Sequence, residues 1–300
     1  MLRMYPVRSL QVDLDGPVHY ADYGGEGTPL LLIHGLAGSS LNWMAVAPSL
    51  AETHRVLAVD LLGFGQTPLA GRKATLEANR RMVDRFLRNV IGEPAILVGN
   101  SMGGLISILE AAAEPVRVRG LVLVNPAVPK RVGAIGEALV QGLFVSFLAP
   151  GVAELALATR GRMVEPEVVV TRILGLVARN PEKIGREIVE AHLEQARRRH
   201  GRREAERAFI QASRSLLAAY ARKRKFYSTI ERISTPTLLL HGAHDRLVPL
   251  AAAEELARRR PDWTFHIYRD LGHVPMMEDP EDFLRVVEGW LGRLAAASAA

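Results

Sequence analysis

The chain contains Leu97-Val98-Gly99-Asn100-Ser101-Met102-Gly103-Gly104, in which an apolar run typical of a buried strand ends in a Gly-x-Ser-x-Gly pentapeptide. A helical pattern follows at once. A sharp strand-to-helix turn of this kind holds its central residue in a strained backbone conformation and exposes its side chain. The N-terminus of the following helix directs free N–H groups and the positive end of its dipole at whatever reacts there. We therefore predict that Ser101 is a catalytic nucleophile.

Short apolar runs alternate with helical patterns on both sides of this segment. Near-continuous apolar strands separated by helices predict a mostly parallel sheet that is covered on both faces. The chain is therefore assigned to the α/β class, with a doubly wound sheet. The predicted strands lie at 10–13, 18–23, 30–33, 56–60, 95–98, 121–125, 237–240 and 264–268, and the predicted helices lie near 43–50, 75–90, 102–112, 251–259 and 281–294.

The middle third of the chain has a different pattern. From 126 to 233 the sequence has helical segments rich in Ala, Leu, Arg and Glu and no convincing strand. Prolines are the predicted breaks between these segments: Pro150, Pro166 and Pro181. We expect a core domain formed by 1–126 and 234–300, with a helical insertion at 127–233 between two strands of the sheet.

The most apolar part of this insertion is 139–157. Gln141, Pro150 and Glu154 interrupt it, so we do not expect a membrane-spanning helix. Its apolar residues are expected to form the interior of the insertion and a wall of an apolar substrate pocket, two roles that are compatible. A helix that lies at a membrane surface is the remaining interpretation.

Composition limits the class of protein. The 300 residues are 48% hydrophobic and 23% charged, as in soluble globular proteins. The chain has no cysteine, which excludes disulfides, a thiolate nucleophile and a thiolate metal site. The segment 1–11 lacks the long apolar stretch and small-residue cleavage site of a signal peptide, which favours a cytoplasmic protein. No metal or redox cofactor is indicated.

The net charge of +6 comes largely from three basic clusters, at 197–199, 202–203 and 222–225. Acidic residues interleave with the first cluster, and no aromatic residues that could stack on bases accompany it. We interpret the clusters as solvated helix faces and expect no nucleic-acid partner. A weak attraction to anionic surfaces is the alternative.

Four motifs resemble those of the α/β-hydrolase superfamily and stand in that family's order. The pentapeptide 99–103 is similar to the family's nucleophile elbow. The others are 34–38 (His-Gly-Leu-Ala-Gly), 242–249 (Gly-Ala-His-Asp-Arg-Leu-Val-Pro) and 271–275 (Leu-Gly-His-Val-Pro). The resemblance covers nearly the whole chain outside the middle third. It implies an α/β-hydrolase fold in which the insertion forms a helical cap over the active site.

A serine hydroxyl is a poor nucleophile near neutral pH and needs a base to take its proton. We predict His273 as that base, because it follows the last predicted strand and so lies at the same carboxyl-end edge of the sheet as the elbow. We predict Asp245, which follows its own strand, as the carboxylate that orients the imidazole. Together they complete the family's order of Ser, Asp and His.

Other nearby residues fit these roles less well. His244 is next to Asp245 and would point elsewhere, and Asp270 shares a loop with His273, which makes triad geometry awkward. Some family members carry the acid after the preceding strand, but near that position this chain has Asn125, whose amide cannot carry the charge. An ordinary turn-forming role is the alternative interpretation of Asp245.

The family pattern implies two backbone donors for the developing oxyanion, the N–H groups of Met102 and Leu36. The side chains of both residues could instead line the pocket. His34 is expected to brace this loop rather than to carry a proton. The segment 60–65 (Asp-Leu-Leu-Gly-Phe-Gly) also resembles a family segment, and we interpret it as a structural turn.

These residues predict a serine hydrolase that cleaves small-molecule carboxylic esters with apolar acyl groups through an acyl-enzyme. Related dehalogenases and epoxide hydrolases use an aspartate at the elbow, which disfavours those activities. Lactone cleavage, acyl transfer and peroxide-using chemistry remain open, and the sequence indicates no oligomeric state.

Two further alternatives come from different classes. The first is a C–C hydrolase of ring-cleavage products, whose elbow is closely similar to 100–104. Against it stand Val274, where those enzymes usually have Trp, and the loop 34–38, which differs from their His-Gly-Ser-Gly-Pro-Gly. The second is a non-catalytic ligand receptor built on the same fold.

Overall fold

A computed structural model describes residues 7–129 and 164–299 of the chain. Within these ranges eight strands form one sheet in the order β1-β2-β4-β3-β5-β6-β7-β8. The strands are β1 Arg8–Asp13, β2 Pro17–Gly24, β3 Pro29–Ile33, β4 Arg55–Val59, β5 Ala95–Asn100, β6 Val118–Val124, β7 Thr237–Gly242 and β8 Thr264–Tyr268. β2 pairs antiparallel with β1 and β4, and the other neighbouring strands are parallel. The predicted α/β class with a mostly parallel sheet is confirmed.

Helices connect the strands. They are α1 Ala47–Leu50, α2 Leu76–Phe86, α3 Met102–Ala113, α4 Pro166–Val177, α5 Arg186–Arg199, α6 Arg203–Ala221, α7 Lys223–Ile230, α8 Leu250–Arg259, α9 Pro275–Glu278 and α10 Pro280–Ala299. A π turn at Leu87–Ile91 extends α2, and short 3₁₀ turns lie at Ser40–Trp43, Pro115–Arg117 and Pro181–Lys183. The predicted helix near 43–50 is therefore a 3₁₀ turn followed by α1.

Local sequence explains where several helices begin. The hydroxyl of Thr75 accepts a hydrogen bond from the Ala78 N–H and so caps α2. Pro166 is the first residue of α4, and Pro181 is the first residue of a 3₁₀ turn. Proline suits a first turn because its fixed φ is already helical and its missing N–H would have no partner there. The breaks predicted at these two prolines are thus helix starts.

Both faces of the sheet are covered by helices. Successive side chains of a strand point to opposite faces. In β3, Leu31 and Ile33 belong to one buried cluster, while Leu30 and Leu32 belong to the other. Helices α2, α3 and α8 contribute to the first cluster, and α1 and α10 contribute to the second. The doubly wound arrangement is confirmed.

The chain between β6 and β7 includes α4 to α7, and its described part, 164–233, contains no strand. Ala208 of α6 and Ile230 of α7 pack in the first buried cluster, whereas Leu174 of α4 and Ile188 of α5 pack in the second. The inserted helices are therefore anchored to the core on both sides. The apolar segment 139–157 lies outside the described residues.

The apolar segments of the chain raise the question of membrane insertion. Within the described ranges, none of the helices has the length and apolar character that are needed to cross a bilayer.

The sheet order brings five loops to one edge. β3, β5, β6, β7 and β8 are consecutive neighbours and run parallel. The residues that follow them therefore meet at the carboxyl edge, where open α/β sheets bind ligands. These loops contain the predicted site residues Leu36, Ser101, Asp245 and His273, and Met102 is the first residue of the helix that follows Ser101.

Candidate active site

Ser101 occupies the turn between β5 and α3. Its φ of 53° and ψ of −116° lie in a region that costs a residue other than glycine on the order of 1–3 kcal/mol. Two backbone hydrogen bonds hold it there. The Ser101 N–H donates to the Val124 carbonyl at 3.0 Å, and the Ser101 carbonyl accepts from the Ala127 N–H at 2.9 Å. The neighbouring strand thus supports the strained turn.

The two glycines of the pentapeptide are required by close backbone approaches. A Cβ added at Gly99 would lie 2.5 Å from the Gly103 carbonyl oxygen. A Cβ added at Gly103 would lie 2.2 Å from the carbonyl oxygen of Ile33 at the end of β3. Both distances are far below van der Waals contact, so a larger residue at Gly103 would push the turn away from β3, and a larger residue at Gly99 would push β5 away from the first turn of α3.

Asp245 and His273 are joined by a short hydrogen bond between buried side chains. His273 Nδ1 lies 2.6 Å from Asp245 Oδ2, and the side chains are 4% and 0% exposed. Because an ionised carboxylate only accepts hydrogen bonds, the proton of this bond belongs to Nδ1. The neutral imidazole then has an unprotonated Nε2, which is the form that a general base needs.

The loop that carries His273 is tied directly to the elbow. Asn100, the residue before Ser101, donates from Nδ2 to the His273 carbonyl oxygen at 3.1 Å. The same Nδ2 also donates to the Val124 carbonyl oxygen at 3.1 Å. A single buried amide therefore joins the ends of β5 and β6 to the histidine loop.

Asp245 accepts hydrogen bonds on both oxygens. The Leu247 and Val248 N–H groups donate to Oδ1, at 2.7 and 3.0 Å. Burial alone would raise the pKa of Asp245, but the charge and hydrogen bond of His273 and the Val248 N–H outweigh it and lower the pKa below its ordinary value. The carboxylate is therefore held ionised beside the imidazole.

Asn125 is a member of this group that the sequence did not reveal. Its Nδ2 donates to Asp245 Oδ2 at 2.7 Å and to the Gly272 carbonyl oxygen at 3.4 Å. Its φ is 46°, a left-handed conformation that asparagine adopts more readily than most residues. The amide of Asn125 cannot carry the charge of an acid, but the structure places it in contact with the Asp245 carboxylate.

His241 is a second unforeseen neighbour of Asp245. Its Nε2 donates to the Val248 carbonyl oxygen at 2.9 Å and lies 3.8 Å from Asp245 Oδ2. Burial lowers the pKa of His241. A neutral ring with a proton on Nε2 satisfies the Val248 carbonyl, so His241 does not compete for the hydrogen bond between His273 Nδ1 and Asp245.

The loop with Leu36 lies against Ser101. A Cβ added at Gly35 would lie 3.0 Å from the Cβ of Ser101. Met102 is the first residue of α3, where N–H groups have no partner within the helix. In the described ranges, neither the Leu36 N–H nor the Met102 N–H donates a hydrogen bond to another group of the chain. Both N–H groups are therefore without a partner among the described residues.

His34 bridges two loops as a neutral ring. Its Nδ1 donates to the Gly35 carbonyl oxygen at 2.7 Å, and its Nε2 accepts from the Leu61 N–H at 3.0 Å. Burial lowers the pKa of His34. Both ring nitrogens are thus occupied by backbone groups, which leaves His34 no free position for proton transfer.

The segment 60–65 is a tight turn organised by Asp60. This buried carboxylate accepts from His19 Nδ1 at 2.7 Å, from the Ser40 N–H at 2.7 Å and from the Gln66 N–H at 2.8 Å. A Cβ added at Gly65 would lie 2.1 Å from the carboxylate carbon of Asp60. Asp60 therefore links the loops after β3 and β4.

Helix α4 of the insertion contacts the histidine loop. The His273 N–H donates to the carbonyl oxygen of Val177, the last residue of α4, at 2.6 Å. A cleft of about 520 Å³ also opens between α5 and the loops that contain Ser40 and Gln66. The lining of this cleft does not include the nucleophile, acid or base candidates.

The arrangement has the parts for acyl transfer: a strained serine, an imidazole fixed by a carboxylate, and two N–H groups without a partner among the described residues. Within 7–129 and 164–299, no group of three or more His, Asp and Glu side chains is arranged to hold a metal ion.

Known proteins resemble the chain over nearly its whole length. A pimeloyl-[acyl-carrier protein] methyl ester esterase from Aromatoleum aromaticum is 31% identical over 264 residues, which cover 86% of this chain and 96% of the esterase. A 2-hydroxymuconate semialdehyde hydrolase from Pseudomonas sp. strain CF600 is 30% identical over an alignment 295 residues long. The alignment covers 91% of this chain and 90% of the hydrolase.

A solved structure is similar in fold. The crystal structure of a haloalkane dehalogenase loop variant from Bradyrhizobium elkanii matches with a TM-score of 0.81 and 24% identity, covering 98% of this chain and 99% of that one. The family defined by the alpha/beta hydrolase fold matches residues 28–280. With the sheet order, the elbow and these matches in agreement, the chain belongs to the α/β-hydrolase fold family.

Proposed function

We propose that this protein is a serine hydrolase that cleaves carboxylic esters with apolar acyl groups through an acyl-enzyme intermediate. Ser101 is the nucleophile, His273 the general base and acid, and Asp245 the carboxylate that orients the imidazole. The N–H groups of Leu36 and Met102 form the oxyanion hole. The main support for this proposal is the 2.6 Å hydrogen bond from His273 Nδ1 to Asp245 Oδ2. The loop that contains His273 is itself hydrogen-bonded to Asn100, the residue before Ser101.

Acylation begins when Ser101 Oγ attacks the ester carbonyl carbon and Nε2 of His273 takes the hydroxyl proton. The carbonyl oxygen becomes an oxyanion and accepts hydrogen bonds from the two backbone N–H groups, each of which contributes on the order of 3 kcal/mol to the transition state. The C–O bond to the alcohol then breaks. The imidazolium returns its proton to the leaving oxygen, so the alcohol departs neutral.

Deacylation repeats these steps with water as the nucleophile. His273 Nε2 takes a proton from the water, whose oxygen attacks the acyl carbon. The collapse of the second oxyanion releases the carboxylic acid and returns the proton to Ser101 Oγ. Asp245 stays ionised throughout, because it stabilises the imidazolium without accepting its proton.

In this proposal the core domain comprises 1–126 and 234–300, and 127–233 is a helical cap over the site. Support comes from the position of α4 to α7 between β6 and β7 and from the contact of α4 with the His273 N–H. The substrate is a small molecule whose acyl group the cap encloses.

Ester cleavage is favoured by the loop 34–38, which lacks the His-Gly-Ser-Gly-Pro-Gly pattern of C–C hydrolases, and by the esterase relative at 31% identity. C–C cleavage is the second candidate. Two observations favour it, the similarity of 100–104 to the elbow of those enzymes and the hydrolase relative at 30% identity.

Turnover of a series of p-nitrophenyl esters of increasing acyl length, compared with turnover of one ring-cleavage dienone, tests the proposal. We expect hydrolysis of the esters, fastest for an apolar acyl group, and slow turnover of the dienone. The reverse preference would replace ester cleavage by C–C cleavage.

Labelling by an organophosphonate tests the nucleophile itself. We expect the wild type to be labelled and Ser101→Ala to be unlabelled. Ser107→Ala is the matched control, because Ser107 lies on the same helix but its hydroxyl is buried and donates to the Gly103 carbonyl oxygen at 2.8 Å. A wild type that neither reacts nor turns over any ester would favour a ligand receptor.

A further inference from the structure

Glu278 is a buried carboxylate that is 3% exposed and lies at the end of α9, close after the histidine loop. Both of its oxygens accept hydrogen bonds from backbone N–H groups. Oε1 accepts from Gly272 at 2.8 Å. Oε2 accepts from Arg179 at 2.7 Å and from Asn180 at 3.1 Å. An ionised carboxylate suits this place because it has several acceptor sites and no donor.

The three donors belong to two distant parts of the chain. Gly272 directly precedes His273, whereas Arg179 and Asn180 follow the C-terminus of α4. Glu278 therefore bridges the histidine loop and the insertion. We refer to Glu278 together with 177–180 as the clamp.

Two direct hydrogen bonds run parallel to this bridge. The Val177 carbonyl oxygen accepts from the His273 N–H at 2.6 Å, and Asn180 Nδ2 donates to the Asp270 carbonyl oxygen at 3.1 Å. The clamp is also packed closely against the loop. A Cβ added at Gly272 would lie 2.7 Å from both the Arg179 nitrogen and the Val177 oxygen.

The insertion also contacts the loop of the acid. Arg246, the residue after Asp245, donates from Nη1 to the Gly175 carbonyl oxygen in α4 at 2.8 Å. The same helix therefore meets the loops of both partners in the Asp245–His273 hydrogen bond.

Residues 269–274, which lie between β8 and α9, have no helix or strand of their own to fix them. Asp245 holds the imidazole. Asn100 and Asn125 bond the carbonyl groups of His273 and Gly272, and the clamp bonds their N–H groups. Misplacing a catalytic group by about 1 Å can cost on the order of 100-fold in rate. A loop that depends on hydrogen bonds for its position is sensitive to losing them.

We propose that Glu278 is a positioning residue for His273, and that through Glu278 the docking of α4 sets where the base stands relative to Ser101. This inference rests on the proposed function, in which His273 is the base. Glu278 itself touches no reacting atom.

The first test is Glu278→Gln, which keeps the side-chain volume but replaces one acceptor oxygen by an NH₂ group that faces N–H donors. We expect kcat for the best p-nitrophenyl ester to fall by about 10- to 100-fold, with KM nearly unchanged. Glu281→Gln is the matched control, since Glu281 is exposed in the first turn of α10 and loses the same charge.

A spectroscopic readout separates positioning from general destabilisation. The His273 Nδ1 proton in its 2.6 Å hydrogen bond to Asp245 should give a resonance far downfield of the amide region in the proton NMR spectrum. We expect Glu278→Gln to shift or broaden this resonance at a temperature where circular dichroism shows the variant to be folded. Glu281→Gln should leave it unchanged.

Asn180→Ala is the second variant, and it decides the matter if Glu278→Gln does not fold. It removes the hydrogen bond from Asn180 Nδ2 to the Asp270 carbonyl oxygen and keeps the Asn180 N–H on Glu278. We expect kcat to fall by about fivefold, with a smaller change in the resonance.

The inference is overturned if folded Glu278→Gln keeps kcat within about twofold of the wild type, or loses rate while the resonance does not move. An equal loss of kcat in Glu281→Gln would also overturn it. If Glu278→Gln does not fold, an unchanged kcat in Asn180→Ala would overturn the inference. Failure of the proposed function has a different result, a wild type without ester turnover or Ser101 labelling. The NMR resonance of the His273 Nδ1 proton is measured without substrate, so it tests the clamp whether or not the protein hydrolyses esters.

Discussion

Replacing Asp245 by asparagine changes one atom in a group that takes part in four hydrogen bonds. Oδ1 accepts from the Leu247 and Val248 N–H groups. Oδ2 accepts from His273 Nδ1 and Asn125 Nδ2. An asparagine amide accepts on its oxygen alone. If that oxygen keeps the two backbone N–H donors, the NH₂ group faces His273 Nδ1 and Asn125 Nδ2, which are both donors.

The imidazole can relieve this conflict by moving its proton. His273 would then accept from the new amide at Nδ1 and carry its proton on Nε2. A protonated Nε2 cannot take the proton of Ser101, so the variant should fold and yet lose on the order of 10⁴-fold in kcat. That loss corresponds to about 5 kcal/mol in the activation free energy.

Steady-state kcat for the best p-nitrophenyl ester measures the loss, with circular dichroism as the check on folding. Asp270→Asn is the matched control, because Asp270 is an exposed residue of the histidine loop and undergoes the same change. A folded Asp245→Asn variant that loses less than about tenfold would refute the assignment of Asp245. A comparable loss of kcat in Asp270→Asn would refute the explanation by a shift of the His273 proton from Nδ1 to Nε2.

Three further outcomes are expected. Ser101→Ala and His273→Ala should each lose a factor on the order of 10⁶ in kcat, and the double variant should lose no more, since the residues act as a unit; a multiplied loss would contradict this. Gly103→Ala should lower the free energy of unfolding by about 1–3 kcal/mol in urea titrations, because its Cβ would lie 2.2 Å from the last carbonyl oxygen of β3, and an unchanged midpoint would argue against the close approach. Burial raises the pKa of Glu110 to about 7 from an ordinary value of 4.5, so the folded state binds an extra proton between these values. The free energy of unfolding should therefore fall as pH rises from about 4.5 to 7, on the order of 3 kcal/mol, and Glu110→Gln should abolish that fall while Glu77→Gln should keep it. Equal pH dependence in wild type and Glu110→Gln would show the cause to lie elsewhere.

The fold could be predicted because its strands have a simple cause. The central strands are buried on both faces, so they are near-continuous apolar runs, and β3 and β7 lie within a residue or two of the predicted spans. β1 begins at Arg8, two residues before the prediction, because it is an edge strand whose alternating pattern includes exposed polar residues. The pattern of apolar residues carries little information at such an edge.

The candidate site was predictable only in part. Asp245 and His273 could be paired because each follows a strand whose carboxyl end lies at the same edge. The contacts of Asn125 with Asp245 and of Glu278 with Asn180 could not be assigned, because these partners lie 120 and 98 residues away in sequence. No local pattern encodes such a contact. The roles of Ser101, Asp245, His273, Leu36 and Met102 remain predictions for the experiments above.

Helix α4 has a bearing on how this protein could be re-engineered. Chimeras that exchange the insertion of one hydrolase for that of another are an obvious route to new acyl preferences. Here the donor insertion would have to present one carbonyl and two amides at the place now taken by 177–180, or the segment 270–273 would be left without its partners. Grafts that begin after 180 and retain α4 should therefore preserve turnover better than complete replacements.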